Sequence, residues 1–248
     1  MKILVYGIGG AMGHNVVNAA KESKDVEVVC GVDKFYAGND LPCPVYPSCA
    51  DVTEKIDCIV DFSVPQAIYD YLPFAIKNKV PCVIATTGYA EADEEYIKEA
   101  SKNIPILKSG NLSMGINLLL HLSKEAAKVV GNMADIEIVE QHHNKKKDAP
   151  SGTALLLADG IRTVLPDKEN KLGRAGMGRR AENEIGIHAV RGGTIVGKHT
   201  VMFIMNGEVV SLTHEAESKM MLAQGGLTAA RFITKKESGL FSSSDMFE

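Results

Sequence analysis

A short apolar run, Ile3-Leu4-Val5-Tyr6, is broken at once by Gly7-Ile8-Gly9-Gly10-Ala11-Met12-Gly13, and a segment of helical character follows over Asn15–Lys24. A glycine-rich turn between a first strand and a first helix restricts the fold strongly. The glycines let the backbone turn sharply and approach a pyrophosphate, whose charge then faces the amides and the positive dipole end of the helix. The spacing departs from G-x-G-x-x-G, because Met12 holds the third glycine's place and Gly13 follows it. A plain tight turn is the competing reading, and the strand context disfavours it.

The pattern repeats. Val26–Cys30, Cys58–Phe62, Pro81–Ala85 and Pro105–Lys108 are further short apolar runs, alternating with helical segments over Pro65–Asn78, Glu91–Lys102 and Gly115–Val130. Such alternation predicts right-handed βαβ units around a parallel sheet, an α/β domain. After about residue 135 the character changes. Ile136–Glu140, Ile185–Arg191, Thr200–Met205 and Glu208–His214 read as alternating strands with few helices between them, which predicts a second domain. Asn206-Gly207 between the last two supplies φ > 0 at both central positions of a type I′ turn, so those strands should be antiparallel. Met220–Thr234 is apolar at helical spacing and is expected to return to the first domain, and the Gly- and Arg-rich stretch Lys171–Arg180 reads as a mobile loop.

Composition narrows the classes. With 45% hydrophobic and 23% charged residues over 248 positions, the chain can bury a sizeable core without covalent staples. The glycines after Tyr6 exclude a signal-peptide core, and no run of eighteen apolar residues occurs, so neither export nor a membrane span is expected. A net charge of −4 without tryptophan argues against a general nucleic-acid binder. The five cysteines (Cys30, Cys43, Cys49, Cys58, Cys82) show no metal-ligand spacing and read as buried reduced thiols.

About twenty residues beyond the glycine turn, after the second strand, comes Asp33-Lys34. The carboxylate is placed to accept both hydroxyls of an adenosine ribose, as NAD requires. The adjacent ammonium can offset its repulsion of a 2′-phosphate, so both NADH and NADPH are expected as cofactors; an exposed ion pair is the alternative. Phe62-Ser63-Val64 and Ala85-Thr86-Thr87-Gly88 lie where strands of such a sheet end, and could cradle the nicotinamide half, although ordinary turn chemistry explains Thr-Thr-Gly equally well.

Glu140-Gln-His142-His143-Asn-Lys145-Lys146-Lys147-Asp148-Ala-Pro-Ser151-Gly152-Thr153-Ala154 concentrates two imidazoles and three ammoniums in an otherwise acidic chain, and then enters a helix. Amides at that helix start, with the hydroxyls of Ser151 and Thr153, form an anion site suited to a small carboxylate substrate. Taken singly, the lysines could be a solvated charge run and Ser151 or Thr153 an N-cap. No Asp, Glu or His follows at metal-ligand spacing, and Asn111-Leu-Ser-Met-Gly115 lacks the first glycine of a nucleophile elbow.

These two motifs, with Arg191-Gly-Gly-Thr-Ile-Val-Gly-Lys-His-Thr-Val-Met-Phe203, His214-Glu-Ala and Gly239-Leu-Phe241, resemble the 4-hydroxy-tetrahydrodipicolinate reductase (dihydrodipicolinate reductase) family. The resemblance implies a Rossmann-like dinucleotide-binding domain (1–113 and 219–248) and an α+β domain with a mixed sheet (114–218) that binds substrate and forms a cytoplasmic homotetramer. It implies NADH- or NADPH-dependent reduction of a cyclic dicarboxylate in the diaminopimelate route to lysine. Carried over by position, His142 donates or accepts the proton, Lys146 is a second proton donor that helps hold substrate, and His143, Ser151, Gly152 and Thr153 grip carboxylate. Gly7, Ile8, Gly9, Gly10, Ala11, Met12, Asp33, Lys34, Ala85, Thr86, Thr87, Gly110, Asn111, Leu112 and Ser113 would line the dinucleotide. The chain departs from the family pattern at Ala85, Ser109-Gly110 and Lys219. Two other readings stand beside this one: another dehydrogenase on the same fold, and a redox-sensing binding protein. An acylating semialdehyde enzyme is disfavoured, because every cysteine lies before residue 83.

Overall fold

The computed structural model describes residues 1–247, which divide into two compact units, Met1–Ser113 with the segment from Lys219 onward, and Met114–Ser218. The first unit is built on β1 (Lys2–Tyr6), β2 (Glu27–Val32), β3 (Val45–Tyr46), β4 (Cys58–Asp61), β5 (Cys82–Ile84), β6 (Pro105–Lys108) and β12 (Gly239–Phe241). They form one sheet in the order β12-β6-β5-β4-β1-β2-β3, every pair parallel. The helices α1 (Ala11–Glu22), α2 (Ile68–Asn78), α3 (Glu91–Ser101) and α6 (Met220–Ile233) complete the unit. Two apolar clusters flank the sheet. One joins Ile3, Val5 and Val60 to Val16 and Val17 of α1 and Leu227 and Ala230 of α6; the other joins Leu4, Ile59 and Ile84 to Leu72 of α2 and Ile97 of α3. The strands are buried on both faces, so they read as continuous apolar runs rather than alternating ones.

The sequence order reverses about β1, which pairs with β2 on one side and β4 on the other. Ligands of open α/β sheets bind outside the carboxyl ends of the strands at such a point.

In the second unit, β7 (Asp135–His142), β8 (Glu169–Leu172), β9 (Glu184–Arg191), β10 (Gly197–Met205) and β11 (Glu208–Ala216) form a mixed sheet in the order β11-β10-β7-β9-β8. The pairs β10/β11 and β10/β7 are antiparallel; β7/β9 and β8/β9 are parallel. One face packs Ile136, Ile138, Ile187, Val201 and Phe203 against α4 (Met114–Val130) and α5 (Gly152–Arg162). Along β7 and β10 the intervening residues, including Val139, Thr200 and Met202, are only half-buried, the period-2 signature of a sheet covered on one side.

Two local expectations are corrected. The β10–β11 hairpin forms about Asn206-Gly207, with Met205 paired to Glu208, but only Gly207 has positive φ (87°), so the turn is not type I′. Lys171 and Leu172, expected in a loop, belong to β8. The far end of that stretch is tied down: Arg180 Nη1 donates to Asp135 Oδ1 at 2.8 Å and its Nε to Glu137 Oε1 at 3.1 Å. The acidic end of β7 neutralises the arginine and fixes the chain there. Among the described residues no helix is long and apolar enough to cross a membrane.

Candidate active site

The glycine turn leads from β1 into α1. Gly7 has φ +77°, and a Cβ there would stand 2.9 Å from the Phe62 carbonyl oxygen and 2.9 Å from Ser63 Cβ, so only glycine fits. At Gly13 a Cβ would lie 2.4 Å from the carbonyl oxygens of both Gly7 and Ile8. Gly13 therefore performs the close helix-on-strand packing of the motif's third glycine, one position later than the usual spacing. Ile8 points into the core, fully buried, while Gly10 and Ala11 are exposed at the helix start. Gly10 offers no side-chain cap and the first turn of α1 holds no acidic residue. The amides of that turn are left for an anion.

Asp33, just beyond β2, accepts from Gly9 N at 3.1 Å through Oδ2 and from Phe35 N at 3.0 Å through Oδ1. Its carboxylate is thereby locked against the glycine turn. Lys34 is exposed beside it, its Nζ 6.0 Å from the centre of the Phe35 ring. A cavity of about 840 Å³ opens here, lined among others by Tyr6, Gly7, Gly10, Asp33, Lys34, Phe62 and Ser63. It lies at the carboxyl ends of β1 and β4, where the strand order reverses.

The two further loops meet at the same edge of the sheet. Ser63 N donates to Thr86 Oγ1 at 2.9 Å, joining the turn after β4 to the turn after β5. Beneath them lies Asp61, a residue sequence reasoning passed over. It is fully buried, accepts hydrogen bonds from the Ser63 hydroxyl and, at 3.3 Å, from the Tyr71 hydroxyl, and burial pushes its carboxyl up to about 6 against the opposing help of Ser63, Thr86 and Tyr71. A charged residue ending a strand of otherwise apolar residues was the available signal. Ala85 is partly buried and packs on the core, and Thr87 is exposed. A Cβ on Gly110 would touch Thr87 Cγ2 at 3.3 Å, so the Gly110 loop adjoins them. Asn111 Oδ1 accepts from Ser113 N at 2.9 Å, which shapes this loop. Leu112 and Ser113 are each 1% exposed, and Leu112 packs in the core of this unit. A ligand would meet Ile8 and Leu112 through backbone atoms.

In the second unit the site begins at the end of β7. Glu140 is completely buried and accepts four hydrogen bonds: at Oε1 from Arg191 Nη2 (2.7 Å) and Ser151 N (2.9 Å), at Oε2 from Arg191 Nη1 (2.8 Å) and His142 Nδ1 (2.5 Å). Burial alone would raise its pKa, but Arg191, His142 and the Ser151 amide bring it below the usual carboxylate range. His142 is lowered from its ordinary value chiefly by burial, with Lys146 and Arg191 acting in the same direction and Glu140 opposing. Its Nε2 has no hydrogen-bond partner among the described residues, and lies 3.1 Å from where a Cβ on Gly197 would stand.

After His142 the chain turns, Lys146 N donating to His143 O at 3.2 Å, and Lys146 Nζ pairs with Asp148 Oδ1 at 2.9 Å. His143 is half-buried, with no partner at Nδ1 among the described residues. Ser151 proves to be the N-cap of α5: its hydroxyl accepts from Ala154 N at 3.2 Å, stands 3.1 Å from His199 Nε2, and is 1% exposed. The hydroxyl is thereby engaged within the protein. Gly152 is exposed at the helix start, with nothing within 4 Å of a Cβ there, and Thr153 is half-buried. His199, also missed, is pushed down to about 4 by burial, and its ring meets that of His142 edge-on at 5.1 Å.

Sequence reasoning named residues that are neighbours along the chain and gave no role to Asp61, Arg191 or His199, the last two quoted only within a longer motif. Arg191 and His199 lie 51 and 48 residues from the partners they meet, Glu140 and Ser151, so no local spacing could have joined them.

A glycine turn at the switch point of a parallel sheet, with a histidine and lysine site on a separate mixed sheet, defines a two-unit oxidoreductase of the dinucleotide-binding class. Residues 1–112 match the family model for the N-terminal part of dihydrodipicolinate reductase, and residues 115–247 match the one for its C-terminal part. The chain belongs to the dihydrodipicolinate reductase family. It is 48% identical to the 4-hydroxy-tetrahydrodipicolinate reductase of Caldanaerobacter subterraneus subsp. tengcongensis, over 99% of this chain and 98% of that one. To the protein of the same name from Clostridium tetani it is 43% identical, over 98% and 95% of the two chains. Its fold is similar to that of dipicolinate-bound dihydrodipicolinate reductase from Paenisporosarcina sp. TG-14, with TM-score 0.82 and 23% identity over 98% of this chain and 97% of the other.

Proposed function

We propose that this protein reduces 4-hydroxy-tetrahydrodipicolinate (dihydrodipicolinate) to tetrahydrodipicolinate in the diaminopimelate route to lysine, using NADH or NADPH, as a homotetramer in the cytoplasm. The name shared by its relatives gives the substrate, and the dipicolinate in the solved relative is a cyclic dicarboxylate of the same kind. In this chain the reading is carried by His142, whose Nδ1 is bound by Glu140 and whose Nε2 is left without a partner among the described residues, a few residues before Lys146.

The first unit suits a nicotinamide dinucleotide. Gly7 turns the chain with positive φ, Gly13 lets α1 pack close on that turn, α1 starts without a cap, and the cavity reaches Asp33 and Lys34. Gly7 to Met12 would cradle the pyrophosphate, Asp33 and Lys34 the adenosine ribose, and Ala85–Thr87 with Gly110–Ser113 the nicotinamide side. When bound, the dinucleotide supplies the hydride of a two-electron reduction. For atoms to balance, one proton joins the hydride and the substrate's 4-hydroxyl departs as water, so the protein's task is to bind the dianion and manage these protons.

His142 suits proton transfer because an imidazole changes charge near working pH, and the burial that lowers it makes its protonated form the stronger acid. Lys146 answers the substrate's negative charge, exchanging its bond to Asp148 for one to carboxylate, and stands as a second proton donor. His143 and the start of α5 at Gly152 and Thr153 hold the other carboxylate. Ser151 acts by holding that helix start in place.

The test is dinucleotide oxidation with substrate generated in situ by the preceding synthase. Turnover is expected with both NADH and NADPH; none with either would refute the reading. His142→Gln is expected to cut kcat by about 10²-fold or more with dinucleotide affinity unchanged, and near-normal turnover would remove His142 from the mechanism. Lys34→Ala is expected to raise KM for NADPH far more than for NADH; equal effects would dismiss the assignment of Lys34.

A further inference from the structure

Glu140 is the point where the parts of the second site are joined. Its two oxygens carry four hydrogen bonds while no part of it reaches solvent: Arg191 grips both oxygens as a fork, His142 Nδ1 takes one, and the Ser151 amide takes the other. Arg191 is anchored in turn, its Nη2 donating to the Asp148 carbonyl at 2.6 Å. A carboxylate so surrounded by donors only accepts. The hydrogen between Glu140 and His142 therefore sits on Nδ1, and the neutral imidazole presents a lone pair at Nε2. The same carboxylate fixes the residue that caps α5, so the imidazole and the helix start share one rigid support.

We propose that Glu140, clamped by Arg191, is a positioning residue for the reduction: it holds His142 in the Nδ1–H tautomer, so that the proton passes through Nε2 alone, and holds the start of α5 in register with that ring. The inference rests on His142 as the proton-transfer residue. The charged and titratable groups around that imidazole are Glu140 on its own strand, Arg191 on β9, His199 on β10 and Lys146 in the following turn; His214 on β11 faces His199. Of these, only Glu140 carries negative charge. Replacing it by glutamine removes the group that favours the imidazolium.

Two measurements test this, both on the intact protein. In ¹⁵N-histidine NMR of the wild type at neutral pH, His142 is expected to show a protonated Nδ1 and an unprotonated Nε2; the reverse pattern overturns the proposal without reference to catalysis. In steady-state kinetics, Glu140→Gln is expected to lower kcat by about 10²-fold with dinucleotide KM within about twofold of wild type. Its pH profile should shift, the His142 inflection moving to lower pH, and Glu140→Asp should recover part of the rate. Unchanged kcat and an unshifted profile in Glu140→Gln would refute it. Glu140→Gln strands the Arg191 guanidinium, so the double variant with Arg191→Met, which removes both charges, serves if the single one does not fold; wild-type kcat in that variant would equally refute it. Should His142→Gln retain normal turnover, it is the acid–base reading that fails, while the NMR result still decides whether Glu140 sets the tautomer.

Discussion

Asp61 sits in an unusual balance for a carboxyl group. Three hydroxyl groups favour its charge, yet burial outweighs them and holds the pKa at about 6. A carboxyl whose folded-state pKa lies above its unfolded one stabilises the fold fully below the unfolded value near 4 and loses that contribution as pH rises through about 6. A displacement of that size is worth about 3 kcal/mol at most. Asp61→Asn is therefore expected to gain in stability relative to wild type by up to this amount between pH 4 and pH 7, as read from urea unfolding at the two pH values. A constant difference across that range would show that Asp61 keeps its ordinary pKa. Two imidazoles of the second unit shift the other way: His142 and His199 are both lowered, so both favour the neutral ring at neutral pH.

The junction of β1 and α1 shows how an element's position is enforced by the absence of side chains. The carbonyls of Gly7 and Ile8 occupy the space a Cβ on Gly13 would need. Gly13→Ala is expected to push α1 away from the turn, costing about 1–3 kcal/mol and raising dinucleotide KM, with KM for the dicarboxylate unaffected; thermal unfolding and steady-state kinetics check the two parts. α5 is held in another way, by the Ser151 hydroxyl at Ala154 N and by Glu140 at the Ser151 amide. Most elements are legible in the chain itself. The apolar runs of β1, β2, β4, β5 and β6 and the helix of α4 lie within a few residues of where their patterns put them. The Asn206-Gly207 dipeptide predicts the right strands and the wrong turn type, because it permits positive φ at both positions without requiring it. β12 escapes as an element: three residues, Gly239–Phe241, form a strand only because β6 is there to pair with them.

Across the molecule, the open face of the mixed sheet offers a test of the proposed assembly. Val139, Thr200 and Met202 are half-buried on strands whose alternate residues are fully covered by α4 and α5. If copies of the chain associate through this face in the proposed homotetramer, Val139→Arg with Met202→Arg should lower the sedimentation coefficient from that of a tetramer while each unit stays folded. An unaltered sedimentation profile would place the association elsewhere.

The order of apolar runs, the glycines after Tyr6 and the dense histidine and lysine motif were enough to define a parallel α/β unit, a second domain and the family, because strand and helix periods, turn stereochemistry and a contiguous motif are local properties written in neighbouring residues. How these side chains are paired was settled by packing over long separations. Arg191 reaches Glu140 across 51 positions, and Ser151 is withdrawn from the surface by His199 across 48. The burial that shifts Asp61 and His142 exists only once the sheets and helices have excluded water around them. A chain's spacing carries no measure of that exclusion, and desolvation is the largest cause of the shift in where these two groups hold their protons.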